Sequence, residues 1–215
     1  MKNKELFLTN NSIASELINK YEYPYEVLPN IEKFILELGS KLDDSYEKKE
    51  DNIWIAKDAE IDPRATIIGP CIIDHDAKIR LDAYIRGNVI IGKSSRLGHC
   101  CEIKNSILFD EVQVPHFNYV GDSVIGYKSH LGAGVILSNL KNDKGNIKIK
   151  GEKVLETNLR KVGAFLGDYT EVGCNSVINP GTIIGNNTSI YPLSFVRGVI
   201  PPNSIVKQNE IVKKQ

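Results

Sequence analysis

No apolar run in this sequence approaches the roughly 20 residues that a bilayer-spanning helix requires. The start, MKNKELFLTNN, lacks the long apolar stretch of a secretory signal, since only Leu6 to Leu8 are apolar there. Charge of one sign is also missing: 27 Lys and Arg balance 27 Asp and Glu. No overall field therefore draws the chain to nucleic acid or to a membrane surface. The four cysteines, Cys71, Cys100, Cys101 and Cys174, form no CxxC pair, and the expectation is reduced core thiols in a cytoplasmic protein. The four histidines, His75, His99, His116 and His130, offer no HxH or HxxxxH pair. No metal-ligand set is expected from them.

The chain does have a beat. From Ile55 an aliphatic residue returns every six positions through Ile61, Ile67, Ile73, Ile79, Ile85, Ile91, Leu97 and Ile103, closing at Phe109. The count resumes at Ile125, Leu131 and Leu137, then runs through Leu166, Val172, Ile178, Ile184, Ile190 and Val196. Neither the helical period nor the two-residue period of a hairpin fits over such a length. Three hexads instead close one triangular coil of about 18 residues, with the aliphatic side chains inside, so an all-β solenoid is expected. Residues 1–50 read as a helical N-terminal cap or arm, with Asn30 as a cap and Gly39 as a stop. Residues 51–215 read as the β-helix domain, from which the Lys- and Asn-rich segment 139–161 must loop out.

Coiling turns spacing into proximity, because residues 18 apart lie on adjacent strands about 4.8 Å apart. Arg86 and Lys104 are so related, and two stacked cations repel unless an anion lies between them. They either splay and lean on Glu102 or clamp a phosphate. His116 lies in VPHFNYVGDSVIG, where the count from Phe109 to Ile125 is not a multiple of six. The distortion is expected at this histidine, which is either structural or a general base re-aimed by the irregular coil. The basic loop 141–161 is either a solvated excursion or a lure for anionic ligands.

The stretch PHFNYVGDSVIGYKSHLGAG resembles the GH-x-x-Y-x-GD-x-x-IG-x-x-x-x-x-GAG signature of hexapeptide-repeat acyltransferases. More closely, the chain is similar to the acetyltransferase half of bifunctional N-acetylglucosamine-1-phosphate uridyltransferases. That resemblance implies a left-handed parallel β-helix, a homotrimer with sites between subunits, and acetyl-CoA as cosubstrate, without nucleic-acid or membrane partners. It places His116 on the catalytic base. Arg86, Lys104 and Tyr119 fall on the contacts to a sugar phosphate, His130 on a substrate-holding asparagine, and Asn139 on the first residue of an N-Y-D-G loop. Gly132, Ala133 and Gly134 match the turn against the acetyl-CoA arm, Cys174 stands near the thioester, and Lys207 lies near a CoA-binding arginine.

Leu140-Lys141-Asn142 departs from Tyr-Asp-Gly, and no Gly-rich nucleotidyl-transfer motif is found. The activity implied is acetyl transfer to an amino-sugar phosphate such as glucosamine-1-phosphate. Its alternatives are acylation of a nucleotide-linked sugar or a hydroxyl, and a non-catalytic solenoid that binds sugar phosphates or nucleotides.

Overall fold

The inward aliphatic residues stack into three columns, one for each face of a triangular prism. The computed structural model describes residues 1–8, 11–207 and 210–214. On the first face the column is Ile55, Ile73, Ile91, Leu108, Ile125, Leu166, Ile184 and Ile200, each paired in parallel with the next. The second face stacks Ile61, Ile79, Leu97, Val114, Leu131, Val172, Ile190 and Val206. On the third lie Ile67, Ile85, Ile103, Val120, Leu137, Ile178 and Val196. Nearly all of these side chains are buried, so the core is one continuous aliphatic rod.

The rhythm breaks elsewhere than the sequence suggests. Leu108, not Phe109, takes the inward place opposite Ile91. The passage from third to first face therefore shortens by one residue, between Ile103 and Leu108 and again between Val120 and Ile125. Strand Gln113–His116 stays in register with Arg96–His99, so His116 is not where the count is lost. The third–first edge also releases the insertion, which forms an antiparallel hairpin of Lys148–Lys150 with Val154–Glu156. Val162 returns to the coil with its N–H donating to the Asn139 carbonyl at 3.0 Å. Ile147 and Ile149 of the insertion are buried.

The second–third edge is regular. Asp82, Cys100, Phe117, Gly134, Asn175 and Leu193 succeed one another there with left-handed backbone angles. Such angles suit Gly, Asn and Asp; Phe117 and Leu193 adopt them because the tight corner recurs in successive coils.

The last α-helix ends at Gly39, and Tyr46–Lys49 is already a strand, antiparallel to Ile53–Ala56 across a 3₁₀ turn at Glu50–Asn52. The helix Ile31–Gly39 lies along the first face against Cys71–Ile73 and Val89–Ile91. Gly39 touches the Trp54 ring so closely that a Cβ would fall 2.5 Å from it. This cover explains why strands such as Cys71–Ile73, Val89–Ile91 and Ser106–Leu108 are buried on both sides. Antiparallel Glu210–Lys213 pairs with Ser204–Lys207 at the far end of the second face. Cys71 and Cys101 are core thiols as expected, but Cys100 and Cys174 are exposed at corners. No helix among the described residues is long and apolar enough to cross a membrane.

Candidate active site

Directly after the inward residues of the third face comes an outward column of Ile68, Arg86, Lys104 and Gly121. Arg86 and Lys104 thus lie on adjacent strands and line one cleft of about 390 Å³, walled by Pro29 and Glu32 of the helical region. Each cation already holds a carboxylate. Arg86 Nη1 donates to Glu102 Oε1 at 2.6 Å, and Lys104 Nζ lies 3.1 Å from Asp122 Oδ2. The first pair is solvent-exposed and weakly held, and a bidentate anion would displace it readily. The second is 18% and 6% exposed at its two ends and is part of a network.

Asp122 is the hub of that network. Its oxygens accept from Asn105 Nδ2 at 2.9 Å and Asn139 Nδ2 at 2.5 Å. Asn139 Nδ2 also donates to the Tyr119 hydroxyl at 3.1 Å. Gly121 makes this possible, since a Cβ there would lie 2.6 Å from that hydroxyl and 2.7 Å from the Asn139 amide. Burial raises the Tyr119 pKa, so the phenol stays protonated and able to donate. Four sequence candidates, Arg86, Lys104, Tyr119 and Asn139, are therefore gathered at or beside one edge. Asp122 and Gly121 escaped the residue-level reading although both stand in the quoted motif. Asp122 follows Lys104 by 18 residues, but the coil is one residue short here and Gly121 takes the place beside Lys104, so the spacing alone does not pair them.

His116 occupies the opposite edge of the third face. Its Nδ1 is 3.1 Å from Nδ1 of His99 on the preceding coil, and the ring centroids are 4.9 Å apart. One nitrogen must donate and the other accept. If His116 donates, its Nε2 keeps a free lone pair. The two imidazoles line a cleft of about 470 Å³ with Arg80 and Arg96.

Successive coils on the same edge place Gly132, Ala133 and Gly134 next, then Cys174. Gly134 N–H donates to the His116 carbonyl at 2.9 Å, and Asn175 N–H to the Ala133 carbonyl at 2.9 Å. A Cβ on Gly132 would meet the Cys174 nitrogen at 2.6 Å, so these coils stack with no room for a side chain between them. Lys207 lies four strand spacings from His116 along this edge, about 19 Å, with its ammonium 5.0 Å from the Tyr191 ring. His130 joins neither group. Its Nδ1 pairs with Glu171 Oε2 at 3.0 Å on the second face.

Comparison with known proteins agrees with this architecture. The family model for the GMPPB C-terminal domain matches residues 67–159. A bifunctional sugar-1-phosphate nucleotidylyltransferase/acetyltransferase of Sulfurisphaera tokodaii is 35% identical over 68% of this chain and 41% of its own length. The bifunctional protein GlmU of Methanococcus maripaludis is 34% identical over 90% of this chain and 48% of its own. The chain is a hexapeptide-repeat β-helix, and it resembles the acetyltransferase half of such bifunctional proteins. This β-helix spans about half the length, or less, of those two relatives. A hexapeptide transferase family protein from Anaplasma phagocytophilum is 12% identical with a TM-score of 0.42, covering 75% of this chain and 78% of that one. So distant a likeness adds nothing to what the strand register of this β-helix establishes.

Proposed function

We propose that the chain is an acyltransferase that moves an acetyl group from acetyl-CoA to the amine of a phosphorylated amino sugar, acting as a homotrimer. The observation that carries this is the arrangement across one face: a paired Arg and Lys at one edge, an exposed imidazole at the other, and Tyr119 between. Only the corner at Phe117 separates His116, which ends the strand Gln113–His116, from the strand Tyr119–Gly121 beside Lys104. At most about 18 Å of chain therefore divides the imidazole from the cations, a span that long side chains at each end and a hexosamine phosphate between them can bridge. Arg86, released from Glu102, grips the phosphate with two parallel N–H donors while Lys104 supplies charge. Binding energy spent there positions the amine. His116 Nε2 takes the proton from the amine as its nitrogen bonds to the thioester carbonyl carbon. The carbon–sulfur bond then breaks, and the imidazolium returns the proton to the departing thiolate. The small residues Ala133 and Gly134 and the coil of Cys174 offer a track for the cosubstrate arm, and a main-chain N–H near Cys174 supplies an oxyanion donor. His99, accepting from His116 Nδ1, orients the ring so that Nε2 faces outward.

The decisive measurement is free-thiol release from acetyl-CoA with a panel of amino-sugar phosphates, nucleotide-linked amino sugars and unphosphorylated sugars. His116→Ala is expected to lose at least 10²-fold in kcat with the melting temperature unchanged. Arg86→Ala is expected to raise KM for the phosphorylated acceptor most. Equal turnover of an unphosphorylated sugar by the unaltered protein would sink the phosphate role. A non-catalytic solenoid that binds sugar phosphates is the second reading, favoured by Leu140-Lys141-Asn142 in place of Tyr-Asp-Gly and by a lysine, Lys207, where an arginine would meet CoA. Calorimetric titration with acetyl-CoA separates the two, since that reading requires no binding.

A further inference from the structure

A cleft of about 890 Å³ lies on the third–first edge beyond Asn139, between the insertion and the later coils. Its charged lining is Lys141, Lys148, Lys150 and Arg197 against a single carboxylate, Asp143. Lys141 is held by Asp143 at 3.2 Å, and Lys148 reaches out to Glu156 at 2.7 Å. Among the described residues neither Lys150 nor Arg197 has a carboxylate at ion-pair distance. Even with Glu156 counted, the cleft keeps a formal surplus of about two positive charges at neutral pH. The Arg86 and Lys104 cleft, by contrast, is neutralised by Glu102 and Asp122. Of these two clefts, the one at the insertion keeps the larger unsatisfied attraction for an anion.

The walls of this cleft are set by packing. Ile147 and Ile149 are buried, and the hairpin crosses the coil where glycines with positive φ leave room. A Cβ on Gly181 would lie 2.7 Å from Ile147 Cγ2, and one on Gly198 would lie 3.2 Å from the Lys150 carbonyl. The cations accordingly stand on a fixed frame. In the outward column of the third face, Arg197 comes five strand spacings after Arg86, about 24 Å. One phosphate cannot reach both.

We propose that this cleft binds a diphosphate group, the linkage shared by nucleoside diphosphate sugars and CoA, with Arg197 and Lys150 as its principal contacts. A doubly charged diphosphate diester matches the surplus, and Arg197 can take two of its oxygens at once while Lys150 provides a point charge. The inference concerns binding, and only its CoA arm rests on the acetyl-transfer reading.

Calorimetry on the full chain tests it, with inorganic pyrophosphate as the probe for the unaltered protein, the Arg197→Gln/Lys150→Gln variant and Arg86→Gln. All three side chains are exposed, and unchanged melting temperatures would confirm intact folds. The expected result is pyrophosphate binding that weakens at least tenfold in the double variant, is unchanged in Arg86→Gln, and falls with added salt. Competition then assigns the source: displacement by UDP points to a nucleotide-linked sugar, and displacement by CoA alone points to the cosubstrate. No measurable pyrophosphate binding, wild-type affinity in the double variant, loss that follows Arg86 instead, or equal affinity for inorganic phosphate would each overturn the proposal.

Discussion

Asp122 holds three donors in place from a position of near-complete burial, so its removal does more than delete one contact. Lys104 would be left mostly buried with its charge unpaired, and Asn105 and Asn139 would each lose an acceptor. Breaking a buried pair at one end typically costs about 3–5 kcal/mol, and we expect Asp122→Ala to lose about 2–3 kcal/mol because Lys104 retains some solvent. Urea denaturation measures this, and a Lys104→Met change on top should restore part of the loss. Full stability in Asp122→Ala alone would contradict the hub role. Asp110 behaves in the opposite sense. Burial, reinforced by Asp74, pushes its carboxyl up to about 6 from 3.8, against the opposing hydrogen bond from the Lys93 N–H. Between about pH 4 and 6 the folded chain keeps a proton that the unfolded chain gives up, so stability falls as pH rises through that window. Asp110→Asn is expected to gain about 1–2 kcal/mol at pH 7, to gain nothing below pH 4, and to keep the Lys93 bond through its amide oxygen. Denaturation curves at the two pH values check it.

Among the elements, the N-terminal helical region is an outer layer rather than an appendage. It hides the outward column Ile72, Ile90, Ile107, Phe165 and Ile183, and it walls the Arg86 cleft through Pro29 and Glu32. Asp168 anchors its beginning: the buried carboxylate accepts from the Leu8 N–H at 2.6 Å and from the Tyr127 N–H at 2.8 Å. Asp168→Ala leaves two backbone donors short of partners, each worth about 1–3 kcal/mol when buried. Hydrogen exchange in residues 3–8 should accelerate in that variant while the strands around Ile91 stay protected. Uniform acceleration across the coils would show instead that the layer and the stack unfold together.

At the scale of the whole molecule, the third face and its edges expose the apolar side chains Ile68, Tyr84, Phe117, Leu193 and Phe195. The proposed homotrimer would cover these side chains. Light scattering should therefore report three chains per particle for the unaltered protein and one for Leu193→Asp/Phe195→Glu, with far-ultraviolet circular dichroism unchanged. A monomeric unaltered protein would remove subunit interfaces from the site.

The hexad beat alone determined the prism and most of its inward columns, because one aliphatic side chain per short strand is a local requirement met six residues at a time. The stacking of Arg86 next to Lys104 was legible for the same reason, since a full 18-residue coil separates them. Tertiary structure alone decided that Leu108 displaces Phe109, that His99 meets His116, and that Asp122 neutralises Lys104. Each of those depends on corner length, and one residue dropped at the third–first edge changes every partner in the coil that follows. Nothing in the periodicity could reveal that helices would cover the first face, because burial of its outward isoleucines is settled only by what packs against them.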